Sequence, residues 1–242
     1  MIHIISSNTA KKSAELVEVK RKAAEDNLAW LQRNLPPPGG TLLVMVGGRS
    51  QVAFRLRTAQ AYLRHDLLPS YWSDAMLLGK AARKFANTPV HEISLEPPNG
   101  FGFPTPTNAV QTGKLAQYRD AERYPNICIL TVPVELSDVL GALKRFQMQR
   151  AVLDAVDLLI RWLAYVWGVT HTANPLVENH GIPSAAMLEV VLGAVGFDLT
   201  PGLESHASCP EAIWQAAKWW NDYYEQQNRK PLTGAYHCPH NL

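Results

Sequence analysis

The chain has 242 residues, is 47% hydrophobic and 18% charged, and carries a formal net charge of +2. That is the composition of a globular protein large enough to bury a substantial core. It contains no block of basic residues that would call for a nucleic-acid face. The three cysteines, Cys128, Cys209 and Cys238, have no CxxC spacing and are too few for a disulfide framework. The N-terminal MIHIISSNTAKK lacks the continuous apolar core of a secretory signal. The longest apolar run, Leu158 to Val169, is interrupted by Arg161 and is too short to span a bilayer. These features lead to the expectation of a cytoplasmic protein without a membrane partner.

In chain order, residues 9–34 read as a helix with a partial apolar stripe (Leu16, Val19, Ala23, Leu28, Leu31) that ends at Pro36-Pro37-Pro38-Gly39-Gly40. Residues 1–38 are accordingly expected to form an N-terminal helical arm. The run TLLVMV (41–46) predicts a strand buried on both faces. Gly47-Gly48-Arg49-Ser50 then leads into a helix over 51–64. This glycine turn invites a phosphate-loop reading, but both the GK[ST] ending and the GxGxxG spacing are missing, and a tight turn suffices.

Ala75–Leu78 reads as a strand with Asp74 at its entrance, where a carboxylate must be paired or must face a cleft. VHEISL (90–95) alternates, with Val90, Glu92 and Ser94 on one face and His91 on the other. Residues 96–121, rich in Pro, Gly and Asn, are long for a loop and suggest a binding or lid segment. NICILTV (126–132) is a further strand, stopped by Pro133. Residues 135–168 are helical by period, with a break expected at Gly141 or near Gln147–Arg150. A last helix is expected from Pro210 to about Glu225, followed by an irregular tail over 226–242.

Between these lies GIPSAAMLEVVLGAVGFDLTPGL (181–203). Pro183 is tolerated only in a helix's first turn, which puts Ser184 at the N-terminal end of a helix that is apolar nearly all round and closed by Gly196. Ser184 either caps this helix or stands where its positive end favours a nucleophile or an anion.

The segment Ser70-Tyr-Trp-Ser-Asp-Ala-Met-Leu-Leu, the following Val90-His91-Glu92 and the Ser184-Ala-Ala-Met-Leu-Glu helix together resemble the circularly permuted papain-like hydrolases of the NlpC type. The resemblance covers roughly residues 41–215. It implies an α+β domain over 39–225, with a small, mostly antiparallel sheet packed on a core helix. It also implies a degenerate site of Asp74, Glu92 and Ser184. Asp74 replaces the family's histidine, Ser184 replaces its cysteine, and Glu92 stands where a polar residue orients the histidine.

A serine hydroxyl needs a good base, and a carboxylate with an ordinary pKa of about 4 is a poor one. The expectation is therefore a protein that has lost the family's chemistry and binds a partner protein or peptide, without cofactor or metal. The alternative is an active thiol or serine hydrolase. Its serine version calls on His91 or His180. Its thiol version calls on Cys209, ahead of a helix N-terminus where thiol pKa values fall, with His206 as base. His237, Cys238 and His240 cluster in the tail but lack the preorganisation of a metal site.

Overall fold

The computed structural model describes residues 16–96, 102–150, 153–169 and 171–239. The chain is α+β. Its frame is a seven-stranded sheet made of β1 (Leu16–Glu18), β2 (Thr41–Gly47), β3 (Asp74–Leu78), β4 (Pro89–Glu92), β5 (Gln111–Lys114), β6 (Asn126–Val132) and β7 (Thr233–His237). Their order across the sheet is β1-β7-β6-β2-β3-β4-β5. Within it β1 and β7 run parallel, while the other neighbouring strands are antiparallel.

The apolar runs of β2 and β6 pair in register from Thr41↔Val132 to Gly47↔Asn126, and alternation sends their side chains to two cores. Leu43, Met45, Ala75, Leu77, Cys128 and Leu130 face the larger core. It is covered by α2 (Gln51–Ala59), α3 (Leu136–Met148), α4 (Ala155–Val166), α5 (Pro183–Gly193) and α6 (Pro210–Trp219). Val44, Val46, Met76, Ile127 and Ile129 face a smaller core closed by Leu28, Trp30 and Leu31 of α1 (Asn27–Arg33).

α5 is the central helix. Every side chain from Pro183 to Glu189 is buried, as are Val191 and Leu192, because the helix packs against β3, α3 and α4 together. Its C-terminus closes through Phe197 N–H to Leu192 O at 3.0 Å and Gly196 N–H to Gly193 O at 2.9 Å, with Gly196 at φ +78°. This is the left-handed glycine closure expected from the sequence.

The turn after β2 is tight. A Cβ on Gly47 would stand 1.9 Å from the Tyr71 carbonyl oxygen, and Ser50 Oγ caps α2 by accepting from Ala53 N–H at 3.0 Å. Gly47 serves the close approach of two backbones, and Gly48 makes room for the Ala53 and Tyr124 side chains.

Several boundaries differ from expectation. Residues 9–15 lie outside the described residues. Within the rest of the expected 9–34 helix, Leu16–Glu18 is a strand, Ala24 turns the chain at φ +57°, and helix begins only at Asn27, where Asp26 caps Ala29 N–H at 2.8 Å. Pairing with β7 overrides a weak apolar stripe. The tail is not irregular throughout, since Thr233–His237 joins β6 to β1 inside the sheet. The arm and the tail therefore belong to the same sheet as the central segment.

The long 96–121 segment contains β5. The 135–168 helix is two helices, α3 and α4, the second restarted by Asp154, which accepts from Val156 N–H at 3.1 Å. The last helix also divides, into α6 and α7 (Asn221–Gln226).

Candidate functional site

Asp74 opens β3 opposite Val46 of β2, and Ser184 is the second residue of α5. The structure brings the two together: Ser184 Oγ–H donates to Asp74 Oδ1. The same carboxylate oxygen also accepts from Ala75 N–H at 2.9 Å. Ser184 is fully buried, while Asp74 is partly exposed. Ser184 does not cap its helix, because the N-cap is Ile182 and no side chain caps the first turn. The Asp74 carboxyl instead stands at the helix's positive end, where an anion is favoured.

Glu92 points to the same face of the sheet as Asp74 and is almost completely buried. Gln117 Nε2 donates to its Oε1 at 2.6 Å and the Tyr118 hydroxyl donates to its Oε2. Burial pushes both acids well above the ordinary carboxylate range. For Asp74 the neighbouring Glu96 charge adds to the rise, while Ser184, the Ala75 amide and Ser94 oppose it. For Glu92 the Asp74 charge adds, while Tyr118 and Gln117 oppose. Two carboxyls whose charges act on each other in a desolvated site cannot both ionise cheaply.

Free space beside Asp74 amounts to about 20 Å³, lined by Ser73, Ser94, Glu96, Tyr118 and Tyr124. That accommodates about one water molecule. Glu96 is itself engaged, accepting from Ser50 Oγ.

No imidazole hydrogen-bonds to Ser184 or Asp74 among the described residues. His91 Nδ1 lies 3.0 Å from Thr112 Oγ1 on the opposite face of β4 from Glu92, and burial lowers its pKa. His180 sits in the loop before α5, held through its backbone N–H to Pro175 O at 2.9 Å.

The Cys209–His206 pair does not assemble either. Cys209 is fully buried and its thiol is pushed up to about 12 by burial. The half-exposed His206 imidazole instead pairs with Glu204 at 3.1 Å. Desolvation at Cys209 outweighs the helix-end effect expected from the sequence. In the tail, His237 Nδ1 accepts from Arg21 N–H at 3.4 Å and Cys238 is buried, while His240 lies outside the described residues. Among the described residues no His, Cys, Asp and Glu side chains cluster as metal ligands do.

Gln117, Tyr118, Ser94 and Glu96 complete the site and were not singled out from the sequence. The only local signal is Gly113, where a Cβ would stand 2.4 Å from Gln117 Oε1, so that the glycine makes room for the amide that reaches Glu92. Compared with known proteins, the chain matches no family model, no curated protein and no solved structure. No described helix is long and apolar enough to cross a membrane.

Proposed function

We propose that this is a permuted papain-like protein that has exchanged hydrolysis for binding, and that it engages a partner protein or peptide through the 96–121 segment. One observation carries the reading. The acid at the family's histidine position and the hydroxyl at its cysteine position are hydrogen-bonded to each other, in a site with space for about one water. That leaves Ser184 without an imidazole among the described residues and without an approach for a scissile bond. The three buried, unpaired cysteines suit a reducing, cytoplasmic setting. An open groove along Gly102, Phe103, Pro104 and Val110 offers the contact surface that the serine site lacks.

The test is a fluorophosphonate probe on the native protein, with S184A as control. No labelling of Ser184 is the expected result, and labelling abolished by S184A would overturn the proposal. A second reading is favoured by the raised pKa of Asp74. A carboxyl titrating closer to neutrality is a better base for serine than an ordinary one, so a carboxylate-assisted serine hydrolase is the enzyme to which a positive probe result would point.

A further inference from the structure

β5 is the last strand of the sheet among the described residues, so one of its sides has no strand neighbour there. The register shows which groups face that side. Leu115 N–H donates to Thr88 O at 2.9 Å, and Val90↔Gly113 and Glu92↔Gln111 follow two and four residues further along β4. Residues 111, 113 and 115 therefore turn their main chain toward β4, and Thr112 and Lys114 turn theirs outward. On β4 the alternation agrees, because Pro89 O accepts from Gly79 N–H on the β3 side at 2.8 Å. Thr112 and Lys114 are both exposed, and no hydrogen bond among the described residues uses the main-chain groups of Thr112 or the N–H of Lys114, while the Lys114 carbonyl opens the 3-10 turn Leu115–Tyr118. An open strand edge of this kind is a template for pairing with another chain.

The segments that flank the edge in the chain carry basic residues and no acidic ones. Residues 79–91 and 102–119 contain no Asp or Glu, yet carry Lys80, Arg83, Lys84, Lys114 and Arg119. Arg119 is paired with Asp26 at 3.7 Å. Lys80, Arg83, Lys84 and Lys114 are exposed and make no ion pair among the described residues. The basic loop lies at the Lys114 end of the edge, because Lys114 is opposite Pro89 and Thr88 N–H donates to Phe85 O at 3.0 Å. At the Gln111 end, the open groove of about 690 Å³ is walled by Phe103, Pro104, Val110 and Gln147.

We propose that the free edge of β5 takes up an acidic, extended peptide as an additional strand, its main chain paired with the N–H and C=O of Thr112 and with the N–H of Lys114. Its carboxylates face Lys80, Arg83, Lys84 and Lys114, and an apolar side chain at its other end enters the groove beside Phe103. This rests on the reading of the chain as a binding protein and names the chemistry of what it binds. Main-chain hydrogen bonds supply affinity in such strand addition, while side-chain pockets and charge supply specificity. The outward N–H and C=O of Thr112, continued by the N–H of Lys114, complement a peptide strand rather than a nucleic-acid backbone.

The experiment uses the full chain and a fluorescein-labelled octapeptide of alternating glutamate and valine with a phenylalanine at one end. Fluorescence anisotropy is expected to show saturable binding, weakened by about tenfold or more in the Lys84→Glu/Lys114→Glu variant, as for removal of facing charges at an interface. Both substituted side chains are exposed, so circular dichroism should match the parent. The same peptide N-methylated at alternate residues keeps its charge, cannot pair as a strand, and is expected not to bind. Hydrogen exchange should slow at the Thr112 and Lys114 amides when the parent peptide is present.

Equal binding of the N-methylated peptide, or displacement of the parent by an equal concentration of oligothymidylate, would mark a mere polyanion surface and overturn the proposal. Absence of saturable binding overturns it too. The two readings fail separately: a Ser184 that labels with fluorophosphonate removes the non-hydrolytic function while leaving the peptide result intact. An unreactive Ser184 with no peptide binding removes only the strand-edge site.

Discussion

Ser184 and Asp74 stand 110 positions apart in the chain, yet the hydroxyl of one donates directly to the carboxylate of the other. A core helix and the first residue of a sheet strand meet there, and the contact joins the larger core to the end of the sheet. An acid in that position has consequences for stability as well as for chemistry.

Replacing Asp74 by Asn keeps the acceptor for Ser184 and removes the ionisable group. Burial raises the folded-state pKa of Asp74 above its unfolded value, so ionisation at higher pH works against the fold. D74N is expected to be more stable than the parent at pH 8 by about 1–3 kcal/mol and indistinguishable from it near pH 4. Urea unfolding at the two pH values measures this. A D74N protein less stable than the parent at pH 8 would show that the ionised acid holds the site together.

The same sign applies to the whole set of buried acids. Glu189 accepts from Leu199 N–H at 3.2 Å and from Thr200 Oγ1 at 2.8 Å, yet burial pushes it up to about 7, and burial raises Glu211 as well. Between the unfolded carboxyl pKa near 4.5 and a folded value near 7, the native state binds more protons than the unfolded state, so stability falls as pH rises through that window. Glu25 behaves oppositely. Arg33 holds it down to about 2, so its contribution is lost as pH falls from about 4.5 toward 2. Thermal unfolding is therefore expected to peak at mildly acidic pH, with E189Q flattening the fall between pH 5 and 8.

Cys209 is expected to be silent toward thiol reagents in the folded protein. Its thiol is pushed up to about 12 by burial and has no access to solvent. Reaction with Ellman's reagent at pH 8 should be slower than in denaturant by about a hundredfold or more, since the thiolate is the reactive species. Fast labelling of Cys209 in the native protein would return the thiol hydrolase to consideration.

Gly234 tests whether the C-terminal strand is part of the fold. A Cβ there would stand 2.0 Å from the Ile129 carbonyl oxygen, so β7 can lie against β6 only if this residue lacks one. Gly234→Ala is expected to cost about 3 kcal/mol or more, in the range of substitutions that force a backbone to move. A shift in the urea midpoint reports it. An unaffected midpoint would mean that β7 contributes little to the cooperative unit.

Local chemistry in the sequence determined the parts of this protein that need no distant partner. The apolar runs 41–46 and 126–132 mark the two central strands because a strand buried on both faces reads as a short continuous apolar stretch. Pro183 and Gly196 bracket the central helix because one cannot donate a hydrogen bond and the other accepts a left-handed turn. Strands β1, β5 and β7 are of three to five residues each and owe their existence to the neighbour they pair with, so their own side chains barely announce them. Tertiary structure alone decided that Glu92 is held by Gln117 and Tyr118, that Cys209 lies beneath the surface, and that Asp74 is desolvated. Burial and electrostatic environment belong to the packed chain, and a residue's letter carries neither.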